Sequence, residues 1–161
     1  MNGARAVLAV VLTATACASS PRPPLEQRTT QGPGAEVLWT YRVAVANGRG
    51  PTFEERLHWE RELDQAISRY LAQDQEFANS PQVSTFRFAR QAAVGMSKEQ
   101  VTILLGAPER TTTDAAEIET LAGKFGPEVR PRATEAWVYP MGWRFYFSGS
   151  RVVDITQHQP R

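Results

Sequence analysis

The chain has 161 residues, the size of one ordinary domain, and its 42% hydrophobic and 22% charged composition is that of a folding protein rather than a disordered one. Lys plus Arg total 18 against 17 for Asp plus Glu, and the charges are dispersed, which excludes the basic stripe that nucleic-acid binding requires. The single cysteine excludes an internal disulfide framework and a Cys-rich metal centre, and two histidines, His58 and His158, leave little for metal or acid-base chemistry.

Arg5 is followed by an apolar run, Ala6 to Ala16, too short to span a bilayer and of the length of a signal-peptide core. The run ends in Ala14-Thr15-Ala16-Cys17, which resembles the lipobox of bacterial lipoproteins, with Ala14 where that motif usually carries Leu. The resemblance implies that 1–16 is a lipoprotein signal peptide, cleaved before Cys17, whose thiol and new amine are acylated. The alternative is an ordinary signal-peptidase site at Ala14-Thr15-Ala16, with Cys17 an incidental small residue. Residues 17–34 are polar, proline-rich and without apolar period, and so read as a lipidated flexible tether.

From Val37 to Ala46 a period-2 alternation competes with helical spacing of Val37, Tyr41 and Val45; the balance leans to helix because no pairing strand follows directly. Asn47-Gly48-Arg49-Gly50-Pro51 breaks it. Thr52 and Glu55 then form a capping-box pattern ahead of an amphipathic helix from about Phe53 to Leu71, whose apolar positions are Phe53, Leu57, Leu63, Ala66, Ile67, Tyr70 and Leu71. Asn79-Ser80-Pro81 ends this region, and Phe86, Arg90 and Ala93 give a second, short helical rhythm before Gly95. A helical N-terminal extension is therefore expected over 35–80 and an α+β domain over 81–161.

Ser97 as N-cap, Gln100 as its box partner and Met96 stapled on Val101 specify a helix from Lys98 to Leu105, closed by Gly106 at positive φ and by Pro108. Residues 109–112 suggest a first strand, and Asp114 with Glu117 opens a short inserted helix that stops at Gly123. Glu135 to Tyr139, Trp143 to Phe147 and Val152 to Gln157 are aromatic and β-branched strand runs, the last two joined by the turn Ser148-Gly149-Ser150. The expected fold class is α+β, helices first and then an antiparallel sheet, packed as a two-layer sandwich.

Val94-Gly-Met-Ser-Lys-Glu-Gln-Val101, Leu105-Gly-Ala-Pro108, Trp137-Val-Tyr139 and Phe145-Tyr-Phe-Ser-Gly-Ser-Arg-Val-Val153 together resemble the BamE family, also called SmpA/OmlA, of small bacterial outer-membrane lipoproteins. The resemblance covers about half the chain. It implies two helices on a three-stranded sheet and an accessory role in the complex that inserts β-barrel proteins into the outer membrane, on the periplasmic side, with no active site and no cofactor. In that family the residue between the Trp and Tyr of the first long strand is a partner-contacting aromatic; here it is Val138.

Ser97 is used as a cap, Asp154 sits among strand hydrophobics and neither His lies in a motif, so no catalytic residue, no metal ligand, no cofactor site and no small-molecule substrate is expected. The expected contact surface lies on the sheet, at Trp137, Val138, Tyr139, Trp143 and Phe145, with Tyr146 a further exposed-aromatic candidate and the Thr52 helix supplying additional surface. The partner classes are proteins of the outer membrane, the barrel-assembly complex first among them. The competing reading is a lipid-anchored periplasmic binding or inhibitory module unrelated to barrel assembly.

Overall fold

The structure is a computed structural model that describes residues 25–159; the signal peptide expected over 1–16 and the acylation expected at Cys17 lie outside the described residues. The elements in chain order are β1 (Leu25–Thr29), β2 (Gln31–Gly34), α1 (Ala35–Asn47), α2 (Phe53–Gln73), α3 (Gln75–Ala78), a π-helical turn (Thr85–Ala89), β3 (Gln91–Ala93), α4 (Lys98–Leu105), β4 (Arg110–Thr112), α5 (Ala115–Ala122), α6 (Gly126–Val129), β5 (Glu135–Val138), β6 (Trp143–Ser148) and β7 (Arg151–Gln159). The fold is α+β. Five strands form one antiparallel sheet in the order β1-β7-β6-β5-β4, and β2 pairs with β3 as a separate two-stranded ribbon.

The three long strand runs expected from the sequence, β5, β6 and β7, are the centre of this sheet, and the first strand suggested at 109–112 forms as β4 beside β5. What exceeds the expectation is β1, added outside β7 with Leu25 opposite Gln159 and Thr29 opposite Ile155, so the sheet has five strands rather than three. Residues 25–34, expected to belong to the tether, are therefore strand. Their pairing is held by polar groups rather than apolar ones. Gln27 Nε2 donates to Gln157 Oε1 at 2.6 Å, Arg28 forks onto Asp154, and Gln91 Nε2 donates to the Gly32 carbonyl at 2.9 Å. A polar segment can satisfy its backbone in a sheet without burying an apolar face when such partners wait across the ladder.

The second helical rhythm around Phe86, Arg90 and Ala93 is also corrected. The π-helical turn ends at Arg90, which adopts φ 47, and the chain leaves it as β3. The Arg90 carbonyl accepts from Ala35 N at 2.8 Å, so this reversal ties the start of α1 to the turn.

The caps form as their spacing predicts. Thr52 Oγ1 accepts from Glu55 N at 3.2 Å while Glu55 Oε2 accepts from Thr52 N at 2.7 Å. Ser97 and Gln100 make the same reciprocal pair at the head of α4. The Arg49 guanidinium, together with Thr52, holds the Glu55 carboxyl down at about 2. At the end of α4, Gly106 takes φ 71 and ψ −167, and its N–H donates to the Thr102 carbonyl at 2.8 Å. Positive φ is met, in the extended-ψ region rather than the left-handed helical one.

The sheet is buried on both faces, which replaces the two-layer expectation with three layers. Because side chains alternate along a strand, Trp137, Tyr139, Phe145 and Phe147 face one way. They pack with Leu38 of α1, Leu63 and Ile67 of α2, and Val101, Leu104 and Leu105 of α4. Ala136 and Tyr146 face the other way, under Ile118, Leu121 and Ala122 of α5 and Val129 of α6. The short inserted helix is thus the lid of a second core, and the Tyr146 hydroxyl, fully enclosed beneath it, meets Thr156 Oγ1 at 3.0 Å.

Candidate contact surface

Most of the sheet residues expected to meet a partner are core. Tyr139 is 1% exposed, its hydroxyl donating to the Gly106 carbonyl at 2.9 Å, and burial pushes its pKa up. Phe145 is enclosed against it, ring centroids 5.5 Å apart. Trp137 is buried, its ring 4.6 Å from that of Phe147, and its indole N–H donates to the Glu135 carboxylate. Tyr146 is enclosed on the opposite face, where burial pushes it up to about 12. Val138 and Trp143 are half-buried, packed on the second and first core respectively. The correction has one physical cause. A strand aromatic is open only if nothing covers its face, and here helices cover both.

The apolar surface left open belongs to the helices. Val37, Tyr41 and Val45 recur every four residues along α1 and are exposed, while Leu38 and Ala35 carry its buried side. Phe53 and Leu57 are exposed at the start of α2, whose buried contacts begin only at Leu63. Phe88 on the π-helical turn is 75% exposed. Phe86, two positions earlier, takes the core side at 0% exposed, so Phe88 faces outward, and Arg90 at φ 47 ends the turn there.

Phe88 and Val37 border one cleft of about 700 Å³, floored by Ala35 and Ile67 and edged by Asp64, Ser68 and Arg87. Its walls are fixed. Arg90 Nη2 bonds Asp64 Oδ1 at 2.8 Å, joining the turn to α2, and Glu36 pairs with Arg56, joining α1 to α2. The Arg87 guanidinium lies 5.4 Å from the Phe88 ring centroid. Trp39 stacks on Trp59 with centroids 4.6 Å apart, adding a second clamp between the two helices. The cleft can accept an apolar side chain between Val37 and Phe88 with polar groups at its rim, the pattern of a protein contact. Covering a phenylalanine this open is worth about 1.5–3 kcal/mol.

No three His, Cys, Asp or Glu side chains among the described residues are grouped so as to hold a metal ion, and no described helix is long and apolar enough to cross a membrane. His158 is mostly buried beside Glu26, Nδ1 to Oε1 3.6 Å, and near Arg144, whose guanidinium donates to the Leu121 carbonyl. Compared with protein-family models, with curated proteins and with solved structures, the chain matches none. Sequence reasoning missed Phe88 and the cleft. The usable signal was Phe86 and Phe88 two apart in a supposed helix, where only one of the two can face the core.

Proposed function

We propose that the protein is a non-catalytic lipoprotein of the BamE (SmpA/OmlA) type. It is anchored through acylated Cys17 to the outer membrane, faces the periplasm, and acts by contact as an accessory in β-barrel protein assembly or envelope integrity. The segments that carry the resemblance fold as α4 and as the β5, β6 and β7 ladder, in keeping with a shared framework. Their residues act as caps, turns and core, which leaves the contact to other surface.

The observation that carries the contact reading is Phe88, held in solvent by the π-helical turn beside exposed Val37. A large apolar side chain kept open by a fixed backbone is surface prepared for a partner.

The test places a photoreactive amino acid at Phe88 or Tyr41 in the full chain and crosslinks native membranes. Barrel-assembly subunits captured from these positions are the expected result. A different stable partner would favour the periplasmic binding or inhibitory module, and unchanged barrel-protein levels and permeability on deletion would end the assembly role.

A further inference from the structure

Three contacts gather one end of the large sheet. Leu25 opens β1 opposite Gln159 of β7. The Met141 carbonyl, in the turn between β5 and β6, accepts from Gln157 Nε2 at 3.2 Å. Lys124, in the turn after α5, reaches the Glu26 carboxylate through its backbone N–H at 3.4 Å. Leu25 is 39% and Met141 40% exposed. The Lys124 ammonium stands 5.0 Å from the half-buried Phe125 ring. Met141 keeps its outward position at φ 60, a conformation that non-glycine residues seldom hold.

The chain enters the fold at this end. Because 25–34 is strand rather than tether, only eight residue steps separate Cys17 from Leu25. At about 3.3–3.6 Å per residue they reach at most about 29 Å. A domain of the 135 described residues has a radius of gyration of about 14 Å and so measures roughly 37 Å across. With Cys17 at the bilayer, Leu25 stands no more than about 29 Å from the lipid, so the end of the sheet at which the chain enters is the one the anchor draws toward the bilayer.

We infer that the end bearing Leu25, Met141 and Lys124 is a lipid-facing surface that rests on the bilayer to which the protein is anchored. The inference depends on the acylation of Cys17 proposed above. The chemistry of the end agrees with its place. Leucine and unbranched methionine supply apolar contact at the headgroup boundary, and the exposed Lys124, its ammonium over the Phe125 ring, offers its charge to anionic headgroups. The cleft at Phe88 is built from α1, α2 and the π-helical turn, not from these termini, so the two surfaces can be occupied together.

The test uses the full acylated protein in phosphatidylethanolamine–phosphatidylglycerol vesicles carrying a headgroup-linked quencher, with mass spectrometry reporting Cys17. A fluorophore is attached at Met141→Cys or Leu25→Cys, and for comparison at Ser150→Cys. Ser150 precedes β7, nine residue steps or about 30 Å from Gln159. Acylated protein should lose fluorescence at positions 141 and 25 and keep it at 150. Two label positions guard against one variant failing to fold. Equal quenching at all three, or stronger quenching at 150, with Cys17 acylated, overturns the lipid-facing surface and leaves the anchor standing. An unmodified Cys17 overturns the anchor, and the surface with it.

Discussion

The guanidinium of Arg28 forks onto the carboxylate of Asp154, with Nε to Oδ1 at 2.9 Å and Nη2 to Oδ2 at 2.6 Å, across 126 residues of sequence. Asp154 is 3% exposed, and Arg132 adds a longer contact at 3.4 Å. The pair fastens β1 to β7 and supplies a buried carboxylate with its counter-charge.

Arg28→Met should therefore lower stability by about 2–4 kcal/mol, because it strands a buried charge that Arg132 only partly compensates. Urea denaturation is the measurement. The double variant with Asp154→Leu should recover part of that loss, since the desolvated charge goes with it; a double variant as unstable as the sum of the singles would refute this account.

Trp143→Ala should lower the melting temperature, with a cost of about 2 kcal/mol, because the half-buried ring packs on the first core. Phe88→Ala should leave the transition within about 0.5 kcal/mol of the parent, since little is buried there. Differential scanning calorimetry separates the two. If Phe88→Ala unfolds the domain, that ring is structural and cannot be the contact residue.

How much of this could be read in advance depends on where the stabilising groups sit. The α4 boundaries follow from Ser97, Gln100, Met96 and Gly106, all within eleven residues, and the Thr52–Glu55 cap is equally local. Leu25–Thr29 carries no such signal, because its partners are Asp154, Gln157 and His158 at the far end of the chain. The strands of the hairpin were legible from Trp143, Phe145 and Phe147, but not the fate of their faces. That depends on α5 and α6 folding back over Tyr146, a tertiary fact that period-2 alternation does not contain. In α1 the spacing of Val37, Tyr41 and Val45 gave the helix and misplaced its inside, since Leu38 and Ala35 are the residues buried.

Stability should fall as the solution is acidified below neutrality, through His158. Burial and the nearby Arg144 and Lys124 oppose its protonation more than Glu26 favours it, so its pKa in the fold lies below the ordinary 6.5. Between the two values the unfolded chain holds more protons, so stability drops as pH falls through 6.5 and levels off below the folded value. His158→Gln should flatten that part of the profile, read from urea midpoints between about pH 5 and 8. A slope that survives unchanged would assign the effect elsewhere.

Gly142→Ala should be among the most damaging single changes. A Cβ there would lie 1.8 Å from the His158 carbonyl oxygen, and φ is +76. Backbone strain and overlap with a neighbouring strand together cost more than about 3 kcal/mol. Thermal unfolding followed by circular dichroism checks this, and a variant that melts with the parent would show that the β5–β6 turn sits further from β7 than described.

The pairing of β1 with β7 also sets an order of events. Leu25 and Gln159 lie 134 positions apart, yet they are neighbours in one ladder. The edge strand has no partner until β7 has been synthesised, so the nascent chain stays open through most of its translation. Long-range pairing of this kind slows folding and leaves unpaired edges exposed in the interim. Under the export and anchoring proposed above, that delay is useful, since a chain that has not yet closed on itself can still be threaded across a membrane.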